Sequence, residues 1–183
     1  MKVSLGRKTL LLAHPVLIVG SYDKDDKPNI LAISWGGICN SGPPSITISL
    51  RKSRYSYQGI LDSGAFTVNI PSVGQAEEAD FVGIKSGRDM DKFKETGLTA
   101  IRSEIVNAPY IKEFPVNIMC KLIKHEDLGY HTQFIGEIVD IIADETVLNE
   151  KGMPDINKVN PIVYDTISKS YFGIGEKVRK SGL

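Results

Sequence analysis

Residues 50–57 (LRKSRYSY) carry the densest set of side chains suited to binding an anion. Alternating polar and apolar residues before this segment predict a strand that ends at Leu50, and a helix is predicted to start near residues 53–55. A helix amino terminus offers unpaired backbone N–H groups and the positive end of the helix dipole, so the segment predicts a phosphate cradle. The alternative is a solvated basic turn in which Ser53 is an ordinary N-cap. The candidate phosphate-binding residues are Arg51, Lys52, Ser53, Arg54 and Ser56.

The single tryptophan, Trp35, lies in a segment suited to a flat ligand. It follows a predicted strand and precedes Gly36 and Gly37, where the backbone can approach a ring closely. Trp35 could stack on an aromatic cofactor there, or it could be a core residue that packs at the end of the strand. Asn29, at the start of the same strand, could hydrogen-bond the polar edge of a ring or close the preceding turn.

Three further positions could complete such a site. Lys92, in the polar segment GRDMDKF, could reach a phosphate, or it could be a surface lysine. His131 follows a turn at Gly129 and could donate to an anion or remain an exposed turn residue. Tyr164, on a late predicted strand, could form one wall of a pocket or be a core residue whose hydroxyl lies at the rim.

Composition and cysteine usage exclude several classes of protein. The 22 Lys and Arg residues balance 22 Asp and Glu residues, so no basic excess favours nucleic-acid or membrane-surface binding. Cys39, Cys120 and the scattered histidines form no metal-ligand spacing. Near the amino terminus, His14 and Pro15 interrupt the apolar run and no small-residue cleavage site follows, so we expect a cytoplasmic protein without a signal peptide. The length fits a single domain over residues 1–183.

The elements that must position these residues are mainly strands. Periodicity predicts strands over residues 16–22, 29–34, 45–50, 66–70, 116–124, 134–142, 162–165 and 171–174. It predicts helices over residues 55–63, ending before Gly64, and over residues 75–84, followed by a loop over residues 85–94. The two longest strands flank the turn LGYH and therefore predict a long hairpin. The fold class is mainly β with a few helices, forming a closed antiparallel barrel.

Taken together and in order, three segments resemble the flavin-reductase-like family with an FMN-binding split barrel, and within it the flavoredoxins. They are ISWGGICNSGPPSITISLRKSRYS, the DKF of residues 91–93, and NPIVYDTISKSYFGIGE. The similarity covers residues 12–176. It implies an antiparallel split β-barrel, a homodimer, and FMN bound at or near the subunit interface.

The resemblance also assigns roles to residues. Asn29 and Trp35 would contact the ring region of FMN, and Ser34 would add a backbone or hydroxyl contact. The candidate phosphate-binding residues would surround the ring edge and the phosphate, with Lys92 adding charge. His131 and Tyr164 would complete the pocket. No side chain is assigned as a general acid, base or nucleophile, because redox chemistry would belong to the flavin.

The function implied by the resemblance is that of an FMN-dependent oxidoreductase. Electrons would pass from NAD(P)H or a redox protein through FMN to a small or protein acceptor, as in flavin or ferric reductases. The alternative is a non-catalytic FMN electron carrier that exchanges electrons only with protein partners. A third possibility is a flavin-independent module on a similar barrel that binds haem or F420.

Overall fold

A computed structural model describes residues 1–182 of the chain and is mainly antiparallel β-structure. Its strands are β1 (His14–Pro15), β2 (Leu17–Tyr22), β3 (Pro28–Ile33), β4 (Gly36–Ser41), β5 (Pro44–Leu50), β6 (Ala65–Ile70), β7 (Ala100–Arg102), β8 (Pro109–Ile111), β9 (Val116–Asp127), β10 (Thr132–Ala143), β11 (Ile162–Asp165) and β12 (Ser170–Gly173). Every predicted strand is present within a few residues of its predicted bounds.

The helices are short and lie between the strands. They are α1 (Ser56–Ser63), α2 (Ala76–Ile84), α3 (Lys92–Thr96) and α4 (Ile156–Val159), with 3-10 turns at Val73–Gln75 and Glu145–Val147. As predicted, α1 ends before Gly64, which has φ of 60° and closes the helix in the left-handed conformation. The proposed N-cap role of Ser53 is wrong: Tyr55 occupies the N-cap position of α1 and makes no capping side-chain hydrogen bond.

The main sheet has the strand order β3-β2-β6-β9-β10-β5-β4, and each neighbouring pair is antiparallel. Leu31 and Ile33 from β3 share one buried cluster with Ile46 and Ile48 from β5, although these strands lie near opposite ends of that order. The sheet must therefore curl into a barrel around this core. No pairing joins the edge strands β3 and β4 within the described residues, so the barrel is split at this point.

Strand β2 is buried on both faces. Leu17 and Val19 point into the barrel core, whereas Ile18 belongs to a second cluster that includes Val82 of α2 and Phe93 of α3. The alternation of side chains along a strand sends successive residues to opposite faces, so two cores can share one strand. The second core holds α2 and α3 against the outside of the barrel.

Two predicted boundaries differ from the structure. Residues 85–94 were predicted as a loop throughout, but α3 begins at Lys92 because Asp91 caps it by accepting a hydrogen bond from the backbone N–H of Lys94. Strand β4 was not predicted, since Gly36 and Gly37 at its start weaken the β pattern. Within residues 1–182, no helix is both long enough and apolar enough to span a membrane.

Candidate functional site

A groove made of two adjoining hollows opens beside the split in the barrel. The hollows, of about 240 and 270 Å³, share Leu31, Arg51 and Arg54 and are therefore continuous. We call the first the aromatic hollow; its distinctive lining residues are Ser34, Trp35, Asp80, His131, Tyr164 and Tyr171. We call the second the basic hollow; in addition to the shared residues it is lined by Asn29, Ser53, Tyr55, Ser56, Lys85, Ser86, Gly87, Arg88 and Lys92. The groove thus brings together every predicted site residue except Lys52.

The basic hollow has the donor set of an anion site. Of the residues described in the structure, several basic side chains and no Asp or Glu line it. Asn29 from β3 donates through its Nδ2 to the Oγ of Ser56 at 2.7 Å, which ties the barrel wall to the start of α1. The turn before α1 uses the backbone N–H groups of Arg54 and Tyr57 for the carbonyls of Arg51 and Arg54. Because these two amides are already paired, the side chains are the groups that make this hollow suited to binding a phosphate.

Lys52 does not reach the groove. Its exposed amino group forms an ion pair with Asp127 at the end of β9. The neighbouring residue Arg51 makes different contacts. Its guanidinium lies 4.7 Å from the ring centre of Tyr130, and Arg51 lines both hollows. Lys52 is therefore next to the candidate site residues in the sequence but does not line the groove.

Lys92 is buried, contrary to the surface alternative. Its Nζ donates to the carbonyl oxygens of Ile30 at 2.8 Å and Val82 at 2.7 Å, linking β3 to α2. Burial, together with the charge of Arg54, lowers the pKa of Lys92 to about 8. An ammonium group carries three protons, so one remains available to a ligand in the basic hollow.

The aromatic hollow is suited to a flat, amphipathic ligand. The ring centres of Trp35 and His131 lie 5.6 Å apart, and Leu31, Ile33 and Leu50 supply apolar lining. Burial and the charges of Arg51 and Arg54 lower the pKa of His131. Its imidazole is therefore uncharged at neutral pH and offers one donor and one acceptor.

Sequence reasoning missed residues that arrive from α2 and the loop after it. Gly87 brings this loop so close to the barrel that an added Cβ would overlap Oδ1 of Asn29 and lie 2.7 Å from Cδ1 of Tyr55. Arg88 fixes the loop by donating to the carbonyl of Ser53 at 2.7 Å. The glycine followed by arginine in SGRD was the available signal. Asp80 on α2 and Tyr171 on β12 also line the groove, and neither gave a local signal.

The groove fits the FMN that the resemblance implies. A dianionic phosphate matches the basic hollow, and a planar ring with polar edges matches the space beside Trp35 and His131. A metal site has no comparable support, since residues 1–182 contain no group of three or more His, Cys, Asp or Glu side chains placed to hold an ion.

Comparisons with known proteins show which family and fold this chain resembles. Residues 9–170 match the family model for a flavin reductase like domain. The fold is similar to flavoredoxin of Desulfovibrio vulgaris (Miyazaki F), with 49% identity, coverage of 99% of this chain and 97% of that chain, and a TM-score of 0.95. It is also similar to a protein of Shewanella frigidimarina described as a flavin reductase with a split barrel domain, at 23% identity, 93% and 86% coverage, and a TM-score of 0.83.

A curated relative adds a named activity. The ferric-chelate reductase (NAD(P)H) of Archaeoglobus fulgidus is 28% identical over 111 residues, which cover 59% of this chain and 64% of that protein.

Proposed function

The chain belongs to the flavin reductase-like domain family, and from that premise we propose that it binds one FMN non-covalently in the groove and moves electrons through it. The family match and the similarity to flavoredoxin confirm the sequence predictions of the family, the split barrel and an FMN-dependent redox function. The single observation that carries the assignment of the site is a basic hollow that has no acidic side chain among its described lining residues and is continuous with a hollow beside Trp35.

In this arrangement the side chains bind and orient the cofactor. Arg54, Ser56 and Lys92 hold the phosphate, while Trp35 and His131 border the ring. When bound, FMN supplies hydride or single-electron transfer at its ring. Arg51 lines both hollows, so it would supply positive charge near both the ring and the phosphate.

The activity we propose is that of an NAD(P)H-dependent reductase of flavin, ferric iron or another small acceptor. The named activity of the Archaeoglobus relative supports this choice. The FMN-loaded protein should oxidise NADH or NADPH faster than free FMN does, measured as loss of nicotinamide absorbance. Absence of such a rate with both nucleotides would contradict the reductase assignment.

A second candidate, an electron carrier between proteins, is supported by the 49% identity to a flavoredoxin. A carrier would hold FMN tightly, accept electrons slowly from nicotinamides and exchange them quickly with a redox protein such as ferredoxin. Stopped-flow reduction of the FMN-loaded protein by NADPH and by reduced ferredoxin separates the two assignments. The absorption spectrum of the purified protein, with FMN released on denaturation, tests the cofactor itself and excludes haem or F420.

We also propose that the protein is a cytoplasmic homodimer whose partner subunit covers the aromatic hollow. Trp35 is 44% exposed, and Ile38 and Tyr130 are each 70% exposed. Ile38 and Trp35 line a common depression, and the rings of Tyr130, His131 and Trp35 follow one another. A continuous exposed apolar patch of this kind favours association. Sedimentation of the FMN-loaded protein should give twice the monomer mass, and a monomer at micromolar concentration would refute the dimer.

The affinity for FMN is expected to fall as pH rises above about 8. The free protein loses the Lys92 proton near that pH, because burial lowers the pKa of this amino group to about 8. A bound phosphate favours the charged form, so binding requires proton uptake above that pH and weakens by up to about tenfold per pH unit. The dissociation constant should be measured from pH 6.5 to 9.5 at fixed ionic strength.

The matched control is Lys92→Arg, because arginine stays protonated throughout this pH range. Its FMN affinity should be nearly independent of pH across the same interval. An equal decline in both proteins would show that another group titrates.

A further inference from the structure

The small sheet beside the aromatic hollow aligns three ring side chains across its strands. Strand β11 pairs with β1 and β12, and the register sets His14 opposite Tyr164 and Tyr164 opposite Tyr171. Directly opposite residues in an antiparallel pair lie on the same face of the sheet. The two tyrosine rings contact each other with centres 4.9 Å apart, and both line the aromatic hollow.

The row of three rings ends beside the carboxylate of Asp80. The hydroxyl of Tyr171 donates to Oδ1 of Asp80, on α2, at 3.1 Å. Burial and the charge of Asp80 raise the pKa of Tyr171, so its hydroxyl keeps its proton. With that proton directed at Asp80, the Tyr171 oxygen and the second oxygen of Asp80 act as acceptors towards any ligand.

The Asp80–Tyr171 pair also differs in charge from the rest of the groove. Among the lining residues in the described part of the chain, Asp80 is the single acidic side chain, whereas Arg51, Arg54, Lys85, Arg88 and Lys92 are basic. A basic groove attracts anions of every kind. The Asp80 carboxylate at one end of the groove repels an anionic ligand at that end. Selectivity between ligands of different charge arises from such repulsion as well as from attraction.

We propose that the Asp80–Tyr171 pair is the specificity determinant for the second substrate, selecting a carboxamide-bearing pyridine ring, as in a nicotinamide, over an anionic compound. The two N–H bonds of a carboxamide match the two acceptors that the pair presents. A carboxylate on the same ring would place like charges together and leave those acceptors without donors. The inference rests on the proposed function, because the nicotinamide is the electron donor in that function.

Binding of small pyridines tests this proposal directly. Full-length protein, as purified and after FMN addition, is titrated with nicotinamide, 1-methylnicotinamide and nicotinate. Fluorescence of Trp35, the single tryptophan and a wall of the hollow, reports binding, and flavin absorption provides a second signal where FMN is bound. Both carboxamides should bind at least about fivefold more tightly than nicotinate, the scale of one hydrogen bond.

Two variants and a matched control carry the test. Asp80→Asn should bring the ratio of nicotinate to nicotinamide dissociation constants close to one, and Tyr171→Phe should weaken nicotinamide binding while leaving nicotinate unchanged. Glu77→Gln removes one negative charge from the same helix at an exposed position outside the hollow, and it should retain the wild-type ratio.

Each outcome separates this inference from the proposed function. A wild-type ratio near one, an unchanged ratio in Asp80→Asn, or no pyridine binding at all would overturn the role of the pair even if FMN is bound. Absence of FMN from the protein would overturn the proposed function, while the ratio would still be measured through Trp35.

Discussion

Arg54→Ala is expected to weaken FMN binding by about 10- to 150-fold, the equivalent of about 1.5–3 kcal/mol for a charge-assisted hydrogen bond. Arg54 lines both hollows, so it would contact the phosphate-bearing chain of FMN bound in the groove. Ser56→Ala should have a smaller effect of about 0.5–1.5 kcal/mol, because a neutral hydroxyl makes a weaker hydrogen bond. Ser56 also accepts a hydrogen bond from Asn29, so its loss loosens that contact.

The measurement is a titration of the apoprotein with FMN, followed by flavin fluorescence and by calorimetry. Lys52→Ala is the matched control. It removes a positive charge two residues before Arg54, and the Lys52 side chain pairs with Asp127 outside the groove. Its FMN affinity should stay within about twofold of wild type, as expected for an exposed ion pair. Unchanged affinity in both Arg54→Ala and Ser56→Ala would remove residues 50–57 from the site.

Lys92→Met is expected to lower the free energy of unfolding of the apoprotein by about 2–4 kcal/mol, the cost of leaving buried acceptors without a donor. The two acceptors are the carbonyl oxygens of Ile30 and Val82, which join β3 to α2 through the Lys92 ammonium. Methionine fills a similar volume but donates no hydrogen bond. The same substitution should also weaken FMN binding, because it removes a proton donor from the basic hollow.

Urea unfolding at pH 7, followed by Trp35 fluorescence, measures this loss. Lys85→Met is the control, since Lys85 is exposed but lines the same hollow. It should weaken FMN binding without changing the midpoint of unfolding. If Lys92→Met were as stable as wild type, the two carbonyl contacts would contribute nothing to the link between strand and helix, and the role of Lys92 would be confined to the ligand.

The sequence alone was sufficient to predict the main strands, α1, α2 and the antiparallel barrel. Strand β5 alternates polar and apolar residues without a break, and α1 has a glycine directly after its last turn. These signals are local: a strand buried on one face has a period of two, and a residue without Cβ ends a helix at little cost. The beginning of α1 was also predicted to bind a phosphate, because basic and hydroxyl residues lie there within one turn of chain.

Which of those residues reach the groove was decided by the tertiary structure. Lys92 and Lys52 both lie in polar segments of the sequence. In the structure Lys92 is buried between β3 and α2, whereas Lys52 pairs with Asp127, 75 residues away. Asp80 and Tyr171, 91 residues apart, form their hydrogen bond because the second core holds α2 beside the small sheet. A side chain's burial and partners depend on surfaces contributed by distant segments, and local periodicity carries no record of those segments. The sequence therefore determined the elements and, through the family resemblance, predicted the ligand, whereas the packing of two cores on β2 determined which side chains line the groove.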